Sequence, residues 1–264
     1  MRKPGYSSRT PLLALIAVLV SALSMSLPAR ELSVEPSGDE PQTLRFNISP
    51  NGYPPYLIVS DQGPSGIMWD VMNLIAPRLG FNVEPVKIPR KRVDPMLADG
   101  YIDATPRTIE WTENPGDYLF TDPVVSVEEV FFFPKASELS YEHPTDLYGK
   151  IIVAHLGYVY PVLEPYFSDR RIRRFDVSRD RDLFTFVLHG DQFHAALADR
   201  LAGQWILKNE GLSDQFRTSS ESISQFGFRF MLRKDRSKFA DAFNKELVKI
   251  RENGELDGIL SKYR

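Results

Sequence analysis

The sequence predicts an α/β protein of two lobes with a ligand-binding cleft between them. From residue 44 onward, strand patterns alternate with helix patterns, which is typical of mainly parallel sheets flanked by helices. The alternation starts afresh after DLYGK, so the chain holds two such units. Long strand patterns near residues 130 and 230 predict two crossover strands that join the lobes. Interdomain clefts and strand carboxyl ends are where α/β proteins bind small ligands.

The first 29 residues have the composition of a secretory signal peptide. A basic start is followed by the apolar run PLLALIAVLVSALSMS and by small residues near Ala29, where we expect cleavage. The run is short for a membrane span, and an uncleaved N-terminal anchor is the alternative interpretation. Residues 30–42 are polar and contain prolines, so they predict a flexible lead-in to the folded part.

Composition narrows the classes of function. Cleavage removes three basic residues and no acid, so the formal net charge changes from −3 to −6. An acidic protein lacks the clustered Lys and Arg that bind phosphates, which argues against a nucleic-acid partner. The basic cluster DRRIRRF, at residues 169–175, is interpreted as a solvated strand or loop face.

The chain contains no cysteine. It therefore has no disulfide, no thiolate metal site and no N-terminal Cys for lipid attachment. We expect export to the periplasm of a Gram-negative bacterium, without a lipid anchor and without stable membrane insertion after cleavage.

The first predicted unit begins with the strand LRFNIS and continues with a helix from Gly66 to Leu79. Pro77 should distort or close the last turn of that helix. A strand FNVEPVKI follows, and then a short helix DPMLADG with Asp94 as its cap and Pro95 at its first position. The strand YIDAT, at residues 101–105, completes the unit.

The second predicted unit lies between two long strands. EEVFFFP is predicted to be a continuously buried strand, and QFGFRFMLRKD is the second long strand. Between them, the strands IIVAHLG, RIRRFDV and FHAALAD alternate with the helices DRDLFTFVLHG and RLAGQWILKNEG. The helix KFADAFNKELVKIRENG follows, and its apolar face consists of Phe239, Phe243, Leu247 and Ile250.

Taken in order, these segments resemble the bacterial solute-binding proteins of family 3, the polar-amino-acid class. GYPPY with the later G-I-x-x-D-V-M-x-x-I-A-x-x-L-G resembles the beginning of lobe one, and L-A-D-G-Y-I-D-A followed by YLFTDPV continues it. DLYGKIIVAHLG resembles the start of lobe two, and FNKELVKIRENGELDGILSKY resembles the C-terminal helices. The resemblance covers residues 43–264. It implies a type II periplasmic-binding-protein fold, with lobe 1 at residues 43–130 and 230–264 and lobe 2 at residues 131–229.

The resemblance implies a periplasmic receptor whose lobes close around a small polar solute and deliver it to an inner-membrane ABC permease. An amino-acid-like, cationic or zwitterionic solute is expected, and the receptor is expected to act as a monomer. No cofactor, metal ion or catalytic residue is expected. Two alternatives stay open. One is a dehydratase-like enzyme on the same fold, with Glu110, His155 or His194 as acid or base. The other is a ligand sensor for a membrane kinase.

The resemblance also implies an aromatic wall for the ligand. Tyr53 stands where the family stacks a ring on its ligand, and Tyr56 would line the same wall. Pro54 and Pro55 would hold the two rings in place. The alternative is a loop whose rings pack only on their own lobe. Trp69, at helical spacing, is interpreted as a core residue.

The expected anion-binding residues depart from the family pattern. The family's carboxylate-binding Arg would fall near residues 112–114, where this sequence has none, so Arg107 is predicted to supply the guanidinium instead. Thr108 stands where the family uses a hydroxyl. Tyr158 replaces the Ser or Thr that follows the family's glycine turn. Backbone N–H groups after Gly157 would bind an anion if a helix began there.

The expected cation-binding residue is Asp199, which matches the family's acid for the ligand's ammonium group. The alternative role is a cap for the helix that begins at Arg200, and the two roles are compatible. Arg90 and Arg92 follow a strand on the cleft side, and Arg90 is predicted to reach the ligand. The alternative for Arg90 is a solvated charge. Glu110 would repel an anionic ligand.

Overall fold

The computed structural model describes residues 41–264. The predicted signal peptide, residues 1–29, lies outside the described residues, as does all but the end of the predicted lead-in, residues 30–42. The strands are β1 (Gln42–Ile48), β2 (Ile58–Ser60), β3 (Gly63–Ser65), β4 (Phe81–Lys87), β5 (Ala104–Arg107), β6 (Leu119–Phe120), β7 (Val125–Pro134), β8 (Ile151–His155), β9 (Arg173–Val177), β10 (Ala195–Asp199), β11 (Phe216–Thr218) and β12 (Ser224–Leu232). The helices are α1 (Ile67–Arg78), α2 (Arg90–Ala98), α3 (Glu164–Ser168), α4 (Asp180–His189), α5 (Arg200–Asn209), α6 (Ser237–Glu252) and α7 (Glu255–Ser261).

Ten of the strands form one mixed sheet. Its main path runs β4-β1-β5-β12-β7-β10-β8-β9, with β6 paired to β12 and β11 paired to β7. Strand β1 is parallel to its neighbours β4 and β5, and β8 is parallel to its neighbours β10 and β9. The antiparallel strands β12 and β7 lie between these two parallel groups. The predicted α/β class, with two parallel groups and two long strands between them, is confirmed.

The two long strands bring distant parts of the chain together. In β12, residues 229–232 pair with β5, and residues 224–228 pair with β7. In the registers of β7, Glu129 stands opposite both Ser224 of β12 and Asp199 of β10. Glu129 therefore lies where the two parallel groups meet. The assignment of residues 43–130 and 230–264 to one lobe and residues 131–229 to the other stays a prediction.

Strand β7 is buried on both faces. Phe131 and Phe133 pack into an apolar cluster with β8, β10 and α3, and Val130 and Phe132 pack into another cluster with α4 and α5. Side chains alternate between the two faces of a strand, so a run without polar residues requires cover on both. The prediction of a continuously buried strand is confirmed.

Two helices cover the first parallel group as the apolar patterns predict. Helix α1 contains Pro77 in its last turn, and Trp69 packs against the core with its ring centroid 5.9 Å from that of Phe46. Along α6 the predicted apolar face is buried at Phe239, Phe243, Leu247 and Ile250. Burial of one helical face of this size is what holds such helices on a sheet.

Two predicted boundaries are wrong. Helix α2 begins at Arg90 rather than at Pro95, because Val93 and Leu97 are buried together on one face and the helix continues through Pro95. Proline removes one hydrogen bond inside a helix, and here the carbonyl that loses its donor belongs to the exposed Lys91. Asp94 is therefore not a cap.

The strand predicted at residues 101–105 begins at Ala104. Just before β5, the backbone N–H of Asp103 donates to the carbonyl of Arg45 at 2.8 Å, and the buried carboxylate of Asp103 accepts the backbone N–H of Arg45 at 3.0 Å. The hairpin of β2 and β3 was not predicted, because each strand has only three residues and shows no periodicity. Within residues 41–264, no helix is both long enough and apolar enough to cross a membrane.

Candidate functional site

Two adjoining pockets lie beside β7 and share Trp111, Glu129 and Tyr158 in their walls. The larger pocket has a volume of about 530 Å³. The smaller pocket has a volume of about 30 Å³. The first volume is within the range of small-molecule sites, and the second has room for about one water molecule. The shared wall makes the two pockets one composite candidate site.

The aromatic loop at residues 53–56 is fixed against the start of α1. The N–H groups of Ile67 and Met68 donate to the carbonyls of Pro55 and Tyr56 at 3.0 and 2.8 Å. Gly66 has a φ of 106°, and a Cβ there would lie 2.8 Å from each of these two carbonyl oxygens. Only glycine fits this position, because any side chain would clash with these carbonyls. Gly66 thus lets the loop approach the start of α1 closely enough for the two backbone hydrogen bonds to form.

Tyr53 and Tyr56 occupy different depths of this loop. Their rings stack at 5.2 Å, and Tyr53 also meets the ring of Trp111 at 6.3 Å in an edge contact. Tyr53 lines the smaller pocket. Tyr56 is fully buried and lines neither pocket, and its hydroxyl donates to Asp199 Oδ1 at 2.8 Å. Burial, reinforced by the charge of Asp199, raises the pKa of Tyr56, so the hydroxyl stays a donor.

Asp199 lies at the end of β10 and lines the smaller pocket. Its Oδ1 accepts the N–H of Ala202 at 2.8 Å, so it caps α5. Its Oδ2 accepts the N–H of Glu128 at 2.9 Å. Burial raises the pKa of Asp199, and these hydrogen bonds oppose that rise. The capping role is confirmed, and a ligand role in addition stays a prediction.

Glu129 is a pocket residue that the sequence reasoning missed. Its side chain lines both pockets although the residue is only 4% exposed. The hydroxyl of Ser224 donates to Glu129 Oε2. Burial raises the pKa of Glu129 to about 7, the charge of Asp199 adds to the rise, and the hydrogen bond from Ser224 opposes it. An acid at the edge of an apolar run, as in EEVFFFP, is the sequence signal that could have indicated it.

Arg90 is the arginine in the wall of the larger pocket. Its guanidinium lies 5.9 Å from the ring centroid of Trp111 and 5.7 Å from that of Tyr158. Both distances are within the range of cation–π attraction, so the two rings hold the arginine at the pocket wall. Two exposed acids, Glu110 and Glu113, lie at the rim of the same pocket.

Arg107 and Thr108 line neither pocket. Arg107 is buried and forms an ion pair with Asp94. Thr108 is also buried, and its Oγ1 accepts the N–H of Trp111 at 3.2 Å. Thr108 thus helps to position Trp111 in the pocket wall, while Arg107 is paired with Asp94 of α2. The ligand contacts predicted for these two residues stay predictions.

Tyr158 lines both pockets from the loop that follows β8. Its N–H donates to the carbonyl of His155 at 3.2 Å, and the next helix, α3, begins only at Glu164. The condition for an anion site after Gly157, a helix starting there, is therefore not met. Val159, which also lines the larger pocket, is 65% exposed.

The interpretation of DRRIRRF as a solvated face is wrong for Arg174. Its guanidinium donates to the carbonyls of His155 at 3.0 Å and Tyr158 at 2.8 Å, so it fastens the loop that carries Tyr158. The same side chain lies 5.3 Å from the ring centroid of Tyr160. In β9, Arg174 is half-buried while its neighbours Arg173 and Phe175 are exposed, as expected when successive side chains point to opposite faces of a strand.

The histidines considered as acids or bases are separated. His155 lines the smaller pocket, where its Nε2 lies 3.3 Å from Asp180 Oδ1. His194 lines neither pocket and accepts the N–H of Ile151 at 3.2 Å through Nδ1. His155 and Glu110 are therefore the two candidates from the sequence that reach a pocket wall.

Comparison with known proteins shows the fold. PatH of Vibrio harveyi, provisionally named an amino-acid ABC transporter-binding protein, is 24% identical over 252 residues, which cover 94% of this chain and 96% of PatH. A protein of Wolinella succinogenes, provisionally named the binding component of an ABC transporter and solved with lysine, has a TM-score of 0.69 at 18% identity over 84% of this chain and 95% of that one. The ancestral amino acid-binding protein AncCDT-1, a precursor of cyclohexadienyl dehydratase, has a TM-score of 0.65 at 19% identity over the same shares of the two chains, 84% and 95%.

These likenesses confirm the predicted fold, that of the type II periplasmic binding proteins. The sequence model of the bacterial extracellular solute-binding proteins, family 3, matches residues 44–264. The match spans almost all of the described residues and includes every element that builds the two pockets. The chain therefore belongs to the bacterial extracellular solute-binding proteins, family 3, and is a solute-binding protein.

Proposed function

We propose that the protein is the periplasmic receptor of an ABC importer and that it binds a small cationic or zwitterionic solute in the two adjoining pockets. The names of PatH and of the Wolinella succinogenes protein, which was solved with lysine, support an ABC importer and an amino-acid-like solute. The cognate inner-membrane permease would be its partner.

The observation that carries the proposal is the acidic and aromatic lining of the pockets. Among the described residues, the pocket walls contain one arginine, Arg90, one histidine, His155, and five acidic side chains. The five acids are Glu110, Glu113, Glu129, Asp180 and Asp199. Carboxylates and aromatic ring faces both attract positive charge, whereas an anionic solute would be repelled.

The pocket walls suggest a role for each end of a zwitterion. The cationic end would lie by Asp199 and the ring of Tyr53, in and beside the smaller pocket. The carboxylate would lie in the larger pocket, where Arg90 offers a planar pair of donors. In this arrangement Arg90, rather than Arg107, supplies the guanidinium, and Tyr158 lies between the two ends.

Calorimetry with a matched panel of solutes tests the proposal. L-Arginine, L-lysine and putrescine carry extra positive charge, L-glutamine has a neutral side chain, and L-glutamate carries a negative one. We expect the cationic probes to bind more tightly than L-glutamine, and L-glutamate to bind most weakly. Binding of L-glutamate as tight as that of L-arginine would contradict the proposal. Mass spectrometry of small molecules released on denaturation would identify a solute that copurifies.

A dehydratase-like reaction is the second candidate, because a buried carboxyl with a pKa near 7, Glu129, lies in the pocket wall. AncCDT-1, whose fold is similar, is a precursor of cyclohexadienyl dehydratase, and this relation suggests which substrates to test. We propose binding without turnover. Incubation with prephenate and arogenate should give no product, and thermal stabilisation by a cationic probe should accompany that result. Product formation by purified protein would establish the enzyme instead.

A further inference from the structure

We propose that Glu129 pairs with the cationic group of the solute, and that this group takes the place of a proton that Glu129 carries in the empty pocket. The inference rests on the proposed function, since it requires a cationic solute. It goes beyond the family resemblance, which indicates Asp199 for this role.

The position of Glu129 fits a residue that lacks a positive partner. Among residues 41–264, no Lys, Arg or His nitrogen lies within 4.0 Å of its carboxyl oxygens. Ser224 donates to Oε2, and within the described part of the chain no hydrogen bond from a protein group reaches Oε1, so this oxygen is available to a solute. Since Glu129 belongs to the walls of both pockets, it can be reached by a solute in the larger pocket and by a cationic group that extends into the smaller one.

Burial makes the ionised form of this carboxyl costly. An ion buried without a counterion is destabilised by several kcal/mol, and a carboxyl avoids that cost by holding a proton. Asp199 differs, because Tyr56, Ala202 and Glu128 already donate three hydrogen bonds to its oxygens. A cation that enters the pocket therefore gains more from Glu129, whose free oxygen has no competing donor.

The groups around Glu129 decide when it ionises. On the neighbouring strands, the charge of Asp199 favours the protonated form and the hydroxyl of Ser224 favours the ionised form. The remaining titratable or charged groups in the two pocket walls are Tyr53, Arg90, Glu110, Glu113, His155, Tyr158, Tyr160 and Asp180. A cation held between Glu129 and Asp199 outweighs the repulsion between the two carboxyls. Glu129 then releases its proton to solvent, and its carboxylate pairs with the cation.

Calorimetry with L-arginine measures this exchange directly, because the guanidinium keeps its charge at every working pH. Titrations in phosphate and in Tris, whose ionisation enthalpies differ, count the protons released. With the pKa of Glu129 at about 7, we expect nearly one proton released per L-arginine at pH 6 and almost none at pH 8. The affinity should be about tenfold weaker at pH 6 than at pH 8.

The decisive variant is Glu129→Gln, which keeps the shape and can still accept from Ser224. We expect it to bind L-arginine at least about tenfold more weakly than the unmodified protein at pH 8, with no proton release and equal affinity at pH 6 and pH 8. The matched control is Glu138→Gln, an exposed acid in the segment after β7 that lines neither pocket. It should bind L-arginine as the unmodified protein does.

Ser224→Ala gives a second measurement that does not remove the carboxyl. Loss of the hydrogen bond raises the pKa of Glu129 further, so the pH at which L-arginine binding reaches half its maximum should rise. The affinity should fall at pH 7 and recover at pH 9. A variant that loses affinity equally at both pH values would contradict the exchange.

The outcomes separate the inference from the proposed function. If Glu129→Gln still releases a proton and still loses affinity at pH 6, another titratable group carries the effect, and the inference fails while cation binding stands. If the unmodified protein binds none of L-arginine, L-lysine and putrescine at pH 8, the proposed function fails and the inference fails with it.

Discussion

Asp199 and Glu129 stand opposite each other on neighbouring strands, yet different groups satisfy them. Among the described residues, the Asp199 carboxyl accepts hydrogen bonds from two backbone N–H groups and the hydroxyl of Tyr56, whereas the Glu129 carboxyl accepts one from the hydroxyl of Ser224 alone. Charge on a buried carboxyl is tolerated in proportion to the donors that face it. The hydrogen bonds of Asp199 therefore hold it in the structure, whereas Glu129 keeps a carboxyl oxygen that can bind a solute.

Stability should depend on pH through Glu129. Its pKa is raised from 4.5 to about 7, so the folded state binds more protons than the unfolded state between these values. The free energy of unfolding should therefore fall as pH rises from 4.5 to 7, by at most about 3 kcal/mol from this group, and level off above.

Urea denaturation of the unmodified protein and of Glu129→Gln at pH 4.5, 6 and 8 checks this dependence. The variant should gain stability relative to the unmodified protein as the pH rises, because it has no carboxyl to ionise. Asp199 is present in both proteins, and its contribution largely cancels. A stability difference that stays the same at all three pH values would contradict the prediction.

Tyr56 and Tyr53 should differ in what they support. Tyr56→Phe removes the donor to Asp199 and should lower the free energy of unfolding by about 1–3 kcal/mol, with little change in the affinity for L-arginine. Tyr53→Ala removes a ring of the pocket wall and should weaken L-arginine binding by about tenfold or more. Urea denaturation and calorimetry on both variants make the comparison. Equal losses of affinity would show that Tyr56, too, contacts the solute.

At the scale of elements, periodicity and capping were sufficient for most of the chain. The apolar face of α6, the continuously buried β7 and the cap of α5 could each be predicted, because each depends on residues close together in sequence. The start of α2 and the start of β5 could not. The first depends on which face a helix buries, and the second involves contacts between Asp103 and Arg45, which are 58 positions apart in sequence.

The loop after β8 depends on a side chain from β9. Arg174→Ala removes two hydrogen bonds to the loop that carries Tyr158, so we expect faster hydrogen exchange at residues 155–160 and L-arginine binding weaker by about threefold to tenfold. The matched control is Arg173→Ala, which removes an exposed arginine from the same strand and should change neither measurement. Unchanged exchange in Arg174→Ala would show that the loop holds its position without the arginine.

At the scale of the whole molecule, the order of the family's motifs predicted the fold, but the composite pocket was beyond sequence reasoning. The role of Glu129 depends on the register of β7 with two other strands, and its donor Ser224 is 95 positions away. Arg107 was predicted to contact the solute, and sequence alone could not show that its guanidinium is buried and pairs with Asp94.

Binding should change the dimensions of the protein if the two parallel groups close around the solute. Small-angle X-ray scattering should give a smaller radius of gyration with saturating L-arginine than without it, and L-glutamate at equal concentration should leave the curve unchanged. Superimposable curves at saturating L-arginine would show that the solute binds without closure. Size-exclusion chromatography with light scattering on the same samples would test the expected monomer.

The exposed Val159 at the rim of the larger pocket makes the protein suitable as an optical reporter. The sequence lacks cysteine altogether, so the substitution V159C would create a unique thiol for an environment-sensitive dye. Such a dye would lie beside the larger pocket without replacing any charged group in its walls. The emission of the dye would report occupancy of the pockets in real time. Many metabolites could then be screened in parallel.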